Sequence, residues 1–166
     1  EIHFGHNMIS DASFAALDDM LGSLPSLTHL DLSWNRLKSK SAEILANRIS
    51  NTRQCKISVL NVQFNSIGDY GACVLLSPVY AISPAPHLEL LDMSFNGINI
   101  SKSDVLNNIM NVITHSRNMR SLQMNGNEIV DEDFQTIRFA LTESSNRKTG
   151  SLLLGLESSA VAVVYT

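Results

Sequence analysis

Basic residues, cysteines and long apolar runs are all scarce in these 166 residues, and each scarcity closes a class of function. Twelve Lys and Arg against sixteen Asp and Glu leave a net charge of −4. They form no basic run, so a nucleic-acid backbone has nothing to hold. No apolar stretch approaches the roughly 20 residues that a membrane-spanning helix needs, which excludes insertion of that kind. The two cysteines, Cys55 and Cys73, have no Cys or His partner at zinc-finger spacing, and neither H-E-x-x-H nor G-x-x-x-x-G-K occurs. The usual zinc and phosphate-loop sites are thereby removed, and no catalytic residue, metal or cofactor is expected. What remains is 44% hydrophobic, enough for one continuous core.

The stretch that organises the chain is LTHLDLSWNRL, Leu27 to Leu37, because it is written again with substitutions four more times. Leu27, Leu30, Leu32, Asn35 and Leu37 spell L-x-x-L-x-L-x-x-N-x-L. The same frame fits Ile57, Leu60, Val62, Asn65 and Ile67, then Leu88, Leu91, Met93, Asn96 and Ile98, then Met119, Leu122, Met124, Asn127 and Ile129. A copy lacking its first position opens the chain at Ile2, Phe4, Asn7 and Ile9. The repeated asparagines, Asn7, Asn35, Asn65, Asn96 and Asn127, are spaced 28, 30, 31 and 31 residues apart. A fixed period of this length is the signature of a solenoid whose units stack to bury a shared core.

After each asparagine the apolar period lengthens from that of a strand to that of a helix. Ala42, Leu45, Ala46 and Ile49 follow Asn35 in this way, and Ala72, Leu75, Leu76 and Val79 follow Asn65. Leu17, Leu21 and Leu24 form the first such series, and Phe134, Ile137 and Leu141 the last. Each unit therefore reads as one strand, one turn and one helix.

A full helix in a repeat of this length, opened by a small residue such as Ser41 or Gly71, resembles the ribonuclease-inhibitor-like subfamily of leucine-rich repeats. The resemblance covers residues 1–143. It implies an α/β horseshoe with a concave parallel sheet and convex helices, used for binding proteins and found mostly in the cytosol. Two departures touch the helix boundaries: Lys102 stands where the fourth repeat should have its small residue, and Ser77-Pro78 interrupts the third helix. Extracellular members of the wider family carry cysteine-rich caps, and none is visible here, so a reducing, cytoplasmic compartment is expected. The sequon Asn99-Ile100-Ser101 points weakly the other way.

The same curvature follows from spacing alone. Parallel strands stack about 4.8 Å apart while packed helices need about 8–10 Å between axes, so the helix side must be the longer arc. The asparagines should line up as a ladder whose amides satisfy backbone groups in the turn leaving each strand.

The chain opens with Glu1 already inside a strand and without a polar cap, from which the sequence is expected to be a fragment of a longer protein or to be sealed by a partner. Ala81 to His87, AISPAPH, reads as a rigid irregular connection. Beyond the array, residues 144–166 hold two apolar runs, SLLLGL and AVAVVYT, expected to form a final strand and a returning strand that cap the sheet. The second run has the alternative of pairing with another chain. Asp131 is expected to cap the fifth helix, with Glu132 and Asp133 against its dipole.

Function should lie on the outward positions of the strands, where like positions form rows. His3, Asp31, Asn61, Asp92 and Gln123 make a polar row; Glu1, His29, Val59, Leu90 and Ser121 make a row that is apolar in its middle. His6, Trp34, Phe64, Phe95 and Gly126 place three large aromatics in register just before the ladder asparagine. Trp34, Phe64 and Phe95, flanked by Val59, Leu90, His29, Asp31, Asn61 and Asp92, suit an amphipathic protein segment that also carries Lys or Arg. The competing explanation is that the rings pack only on one another. His3, His6, His29 and Asp31 gather on adjacent strands, but histidines on such a face are more often simply surface polar groups. The reading taken forward is a non-catalytic scaffold within a larger complex, of the kind found in cytoskeletal or ciliary assemblies. Two alternatives stay open: a GTPase activator of the Ran-activator type, with Arg36 at the rim, and the sensor domain of an immune-type receptor.

Overall fold

The computed structural model describes residues 1–51, 53–80, 87–145 and 152–156. Six strands form one sheet in chain order, every neighbouring pair parallel: β1 (Ile2–His3), β2 (His29–Asp31), β3 (Val59–Asn61), β4 (Leu90–Asp92), β5 (Ser121–Gln123) and β6 (Leu153–Gly155). Between them run α1 (Asp11–Gly22), α2 (Ser39–Ser50), α3 (Gly68–Leu76), α4 (Ser103–His115) and α5 (Asp131–Ser145). The result is an α/β leucine-rich repeat solenoid, with the narrow strand spacing on its inner arc and the wider helix spacing on its outer arc.

Register follows the repeat frame. Leu30, Leu60, Leu91 and Leu122 are Cα partners from strand to strand, as are Asp31, Asn61, Asp92 and Gln123. The frame residues point inward and are buried; the residues flanking them on each strand are half-buried on the opposite face. Helical positions close the core from the other side, with Ala42, Leu45, Leu75, Val105 and Ile109 fully buried. Leu24 departs from the expected series: α1 ends at Gly22, and Leu24 is exposed.

Neighbouring repeats hold one another at the helix starts. Asp11, the first residue of α1, accepts hydrogen bonds from the Lys38 N–H at 2.8 Å, the Ser41 N–H at 3.3 Å and the Ser41 hydroxyl at 2.5 Å. Burial alone would raise the Asp11 carboxyl, but these donors outweigh it and hold it below its ordinary value. Asp69 in α3 repeats the device, taking the Lys102 ammonium and the Asn99 N–H, the latter at 2.6 Å, and both donors hold its carboxyl low.

These contacts explain where the helix starts depart from the small-residue rule. α2 and α3 begin at Ser39 and Gly68, ahead of Ser41 and Gly71, whereas α4 begins only after Lys102, which is bound to the preceding repeat. Pro78, with no N–H to donate, ends α3 and passes the chain into a 3-10 turn at Ser77–Tyr80. Asp131 is the first helical residue of α5, not its cap. Val130 precedes it, with its carbonyl accepting from the Phe134 N–H and its own N–H held by Ser101 Oγ at 2.9 Å. The sequon is absorbed into the same contacts, for Asn99 Oδ1 accepts the Ser101 N–H at 3.0 Å.

At the far end SLLLGL contributes β6, parallel to β5 through Leu122↔Leu154. The proposed returning strand, AVAVVYT, and residues 81–86 of the connection before His87 lie outside the described residues.

Candidate functional site

The turn leaving each strand is built around the ladder asparagine. The Asn96 amide nitrogen donates to the carbonyls of Val62 at 2.9 Å, Met93 at 3.1 Å and Ser94 at 3.0 Å, while its oxygen accepts the Ile67 N–H at 3.2 Å. Asn65 bonds Leu32, Val62 and Gln63 and accepts the Leu37 N–H. Asn127 likewise bonds Met93 and Met124 and accepts from Asn96 and Ile98. Each side chain thus joins its own turn to the preceding repeat. Asn35 is half-buried with the same pattern, and Asn7, at the first strand, is exposed.

This ladder continues the parallel backbone bonding past the strand ends: the N–H groups of Trp34, Phe64 and Phe95 reach Gln63, Ser94 and Asn125 carbonyls at 3.0, 2.9 and 2.8 Å. The row before the asparagines is therefore repeated at close to the strand spacing, and flat rings attached there must lie parallel. They do. Ring centroids are 5.0 Å apart for His6 and Trp34, 3.9 Å for Trp34 and Phe64, and 4.3 Å for Phe64 and Phe95, with interplanar angles of 14°, 17° and 6°. The stack ends at Gly126, where a β-carbon would collide with the Phe95 ring.

Stacking covers ring faces without hiding the rings, since Trp34 remains 47% and Phe95 45% exposed. The four rings form a ledge along the sheet where its strands end, Phe64 half-buried and the other three exposed.

The ledge is bought with backbone strain. His6, Trp34, Phe64 and Phe95 have φ of 62°, 54°, 54° and 55°, the left-handed region that bulky residues avoid, and Gly126 holds the same row position at 66°. Replacing Phe64 by alanine should lose the stacking and keep the strain, whereas glycine loses the stacking and releases the strain. The glycine variant is expected to be the more stable of the two by about 0.5–1 kcal/mol, the reverse of the usual order. Paired urea melts check this, and an alanine variant equal or superior to glycine contradicts it. One sequence signal for the strain was Gly126 itself, standing in an otherwise aromatic row.

The polar row has a turn function that its spacing did not reveal. Oδ1 of Asp31, Asn61 and Asp92 accepts the N–H two residues on, at Ser33, Gln63 and Ser94, with distances of 2.9, 3.0 and 2.9 Å. These Asx turns orient the side chains and leave each aspartate its second oxygen. Val59 and Leu90 are adjacent in register and half-buried. His29 sits on the neighbouring strand with Nδ1 at 2.9 Å from Thr28 Oγ1 and 3.8 Å from Glu1.

His3 Nδ1 lies 3.8 Å from Asp31 Oδ2 on an open surface. Among the described residues no group of three or more His, Cys, Asp or Glu side chains is placed to hold a metal ion. Arg36, exposed at the rim, leans its guanidinium on Met8 Sδ at 3.4 Å. Among the described residues no helix is long and apolar enough to cross a membrane.

No curated protein matches the chain. A family model described as "Leucine Rich repeat" matches residues 23–46, 85–99 and 115–136, segments that hold the Asn35, Asn96 and Asn127 repeats. The Asn7 and Asn65 repeats fall outside those segments, yet β1 and β3 pair in the same register. With its asparagine ladder and six parallel strands, the chain has the architecture of a leucine-rich repeat solenoid, and three of its repeats match the model of that family.

Proposed function

We propose that this chain is a non-catalytic scaffold of the ribonuclease-inhibitor-like kind, one subunit of a larger complex, which binds a protein partner on its sheet face against the aromatic ledge. The observation that carries this reading is the ring stack itself. Trp34, Phe64 and Phe95 are held side by side, Trp34 and Phe95 nearly half exposed and Phe64 half-buried, and the outward side of the sheet also carries the half-buried Val59 and Leu90. Rigid aromatics contribute large contact area at little entropic cost on binding, which is why they anchor interfaces. Helices of 9 to 15 residues in the repeats support the subfamily. Two cysteines without disulfides support a reducing compartment.

The test uses the protein's only tryptophan, which sits in the ledge. A partner seated there should shift Trp34 emission. The Trp34→Ala/Phe64→Ala/Phe95→Ala variant should bind at least about a hundredfold more weakly, from roughly 1 kcal/mol or more per anchoring ring. Affinity capture from the native cell with both versions, matched for helicity by circular dichroism, supplies the partner. An unchanged set of captured proteins would reduce the row to a packing feature and move the interface to the helix side.

A further inference from the structure

We infer that the occupant of this face is an amphipathic α-helix lying across the strands, with two basic residues seven positions apart and apolar residues at the third and fourth positions after the first. This rests on the sheet face being the partner surface and adds the partner's chemistry and register.

Charge sets the sign. The outward positions of β2 to β5 carry Asp31 and Asp92 and neither Lys nor Arg. The base nearest in sequence, Arg120, has its guanidinium 3.1 Å from Glu89. Both aspartates are held by their Asx turns, so they present a second oxygen without having to be ordered on binding; that of Asp31 lies 3.8 Å from His3 Nδ1.

The rings refine the location of the positive charge. A cation is attracted to a ring face, but the stack closes both faces of Trp34 and Phe64 and one face of Phe95. Basic side chains therefore belong over the aspartates, and apolar ones against the rings.

Spacing sets the register. Asp31 and Asp92 are two strands apart in the same row, about 9.6 Å at 4.8 Å per strand. Seven helical residues rise about 10.5 Å and return within about 20° of the same face. Between the aspartates, β3 and its turn present neutral Asn61 with Val59 on one side and Phe64 on the other. On the partner, positions i+3 and i+4 project to opposite sides of the line joining i and i+7, so one apolar side chain meets Val59 and the other Phe64. Val59 and Phe64 are five residues apart along the chain, across the end of β3, and a helix about 10–12 Å across has the breadth to reach toward both.

The experiment titrates the full chain with a labelled helical peptide bearing Lys at i and i+7 and Leu at i+3 and i+4, read by anisotropy and by Trp34 emission. Its comparators carry Lys at i and i+4, Glu in place of both Lys, or a central Pro. The first peptide should bind with a Trp34 shift and weaken with salt, and each comparator should bind at least tenfold more weakly. Asp31→Asn/Asp92→Asn keeps the Asx turns, as Asn61 already shows, and should cut affinity for the first peptide roughly five- to thirtyfold. Equal binding of the acidic or proline-broken peptide, an unaffected Asn variant, or no binding by the first peptide overturns the inference. In each of those cases, loss of native partners by the triple ring variant leaves the sheet face as the docking surface; retention of them removes both readings.

Discussion

Asn96→Leu is expected to destabilise the array by about 3–5 kcal/mol, among the largest effects a single substitution here can have. Asn96 is 1% exposed and makes four hydrogen bonds to backbone. The four losses are unequal. The carbonyls of Val62 and Met93 each keep a second donor, from Asn65 and Asn127, and that of Ser94 keeps the Phe64 N–H. The Ile67 N–H has only the Asn96 oxygen and is left buried without a partner. Leucine fills the space with apolar volume and answers none of these groups. Because the bonds reach into the preceding repeat, the damage should spread there. Urea denaturation would show a lowered midpoint, and hydrogen exchange should quicken in the turns after β3 and β4 first. An Asn96→Leu protein within 1 kcal/mol of wild type would mean the ladder is dispensable.

The second large effect is on the helix side. Gly71→Val should cost about 3 kcal/mol, because a β-carbon there has nowhere to go. It would meet the Ile67 side chain inside contact distance, Ala42 Cβ at 3.2 Å and Ser39 Cα at 3.3 Å. Ile67 can rotate, but Ser39 Cα is backbone of α2, so relief requires α2 and α3 to separate. These helices pack closely because both present small residues, Gly71 and Ala72 against Ser41 and Ala42, all of them buried. Gly71→Ala should be milder, since a methyl asks less of the same neighbours. A thermal melt in which valine matches glycine would show that α2 and α3 can shift apart freely.

Most of the architecture was legible, for a physical reason that also marks where legibility ends. A strand's facing is a period-two property and the asparagine position is a fixed offset from it, so the residues of one repeat place its strand and the period stacks the strands. The rows through Asp31, Asn61 and Asp92, and through Trp34, Phe64 and Phe95, appear in the structure as written in the sequence. The helix starts were less legible because they are decided between repeats. Asp11 reaches the start of α2 from 27 residues away, and Asp69 holds Lys102 outside α4. No window within one repeat contains both partners.

The ledge shows the same division. Its membership is a matter of spacing, and four ring-bearing residues at one offset suffice to predict a row. Its chemistry is not. That the backbone beneath each ring turns left-handed, that the rings stack face to face, and that Asp31 and Asp92 each commit one oxygen to a turn all arise from neighbours brought within a few ångströms. Sequence by itself determined that the chain is a stack of strand-turn-helix units and which residues share a row, because periodicity is local. Only the tertiary structure decided what each row presents to a partner, because ring stacking and hydrogen-bond assignment depend on residues about 30 positions away in the adjacent repeat.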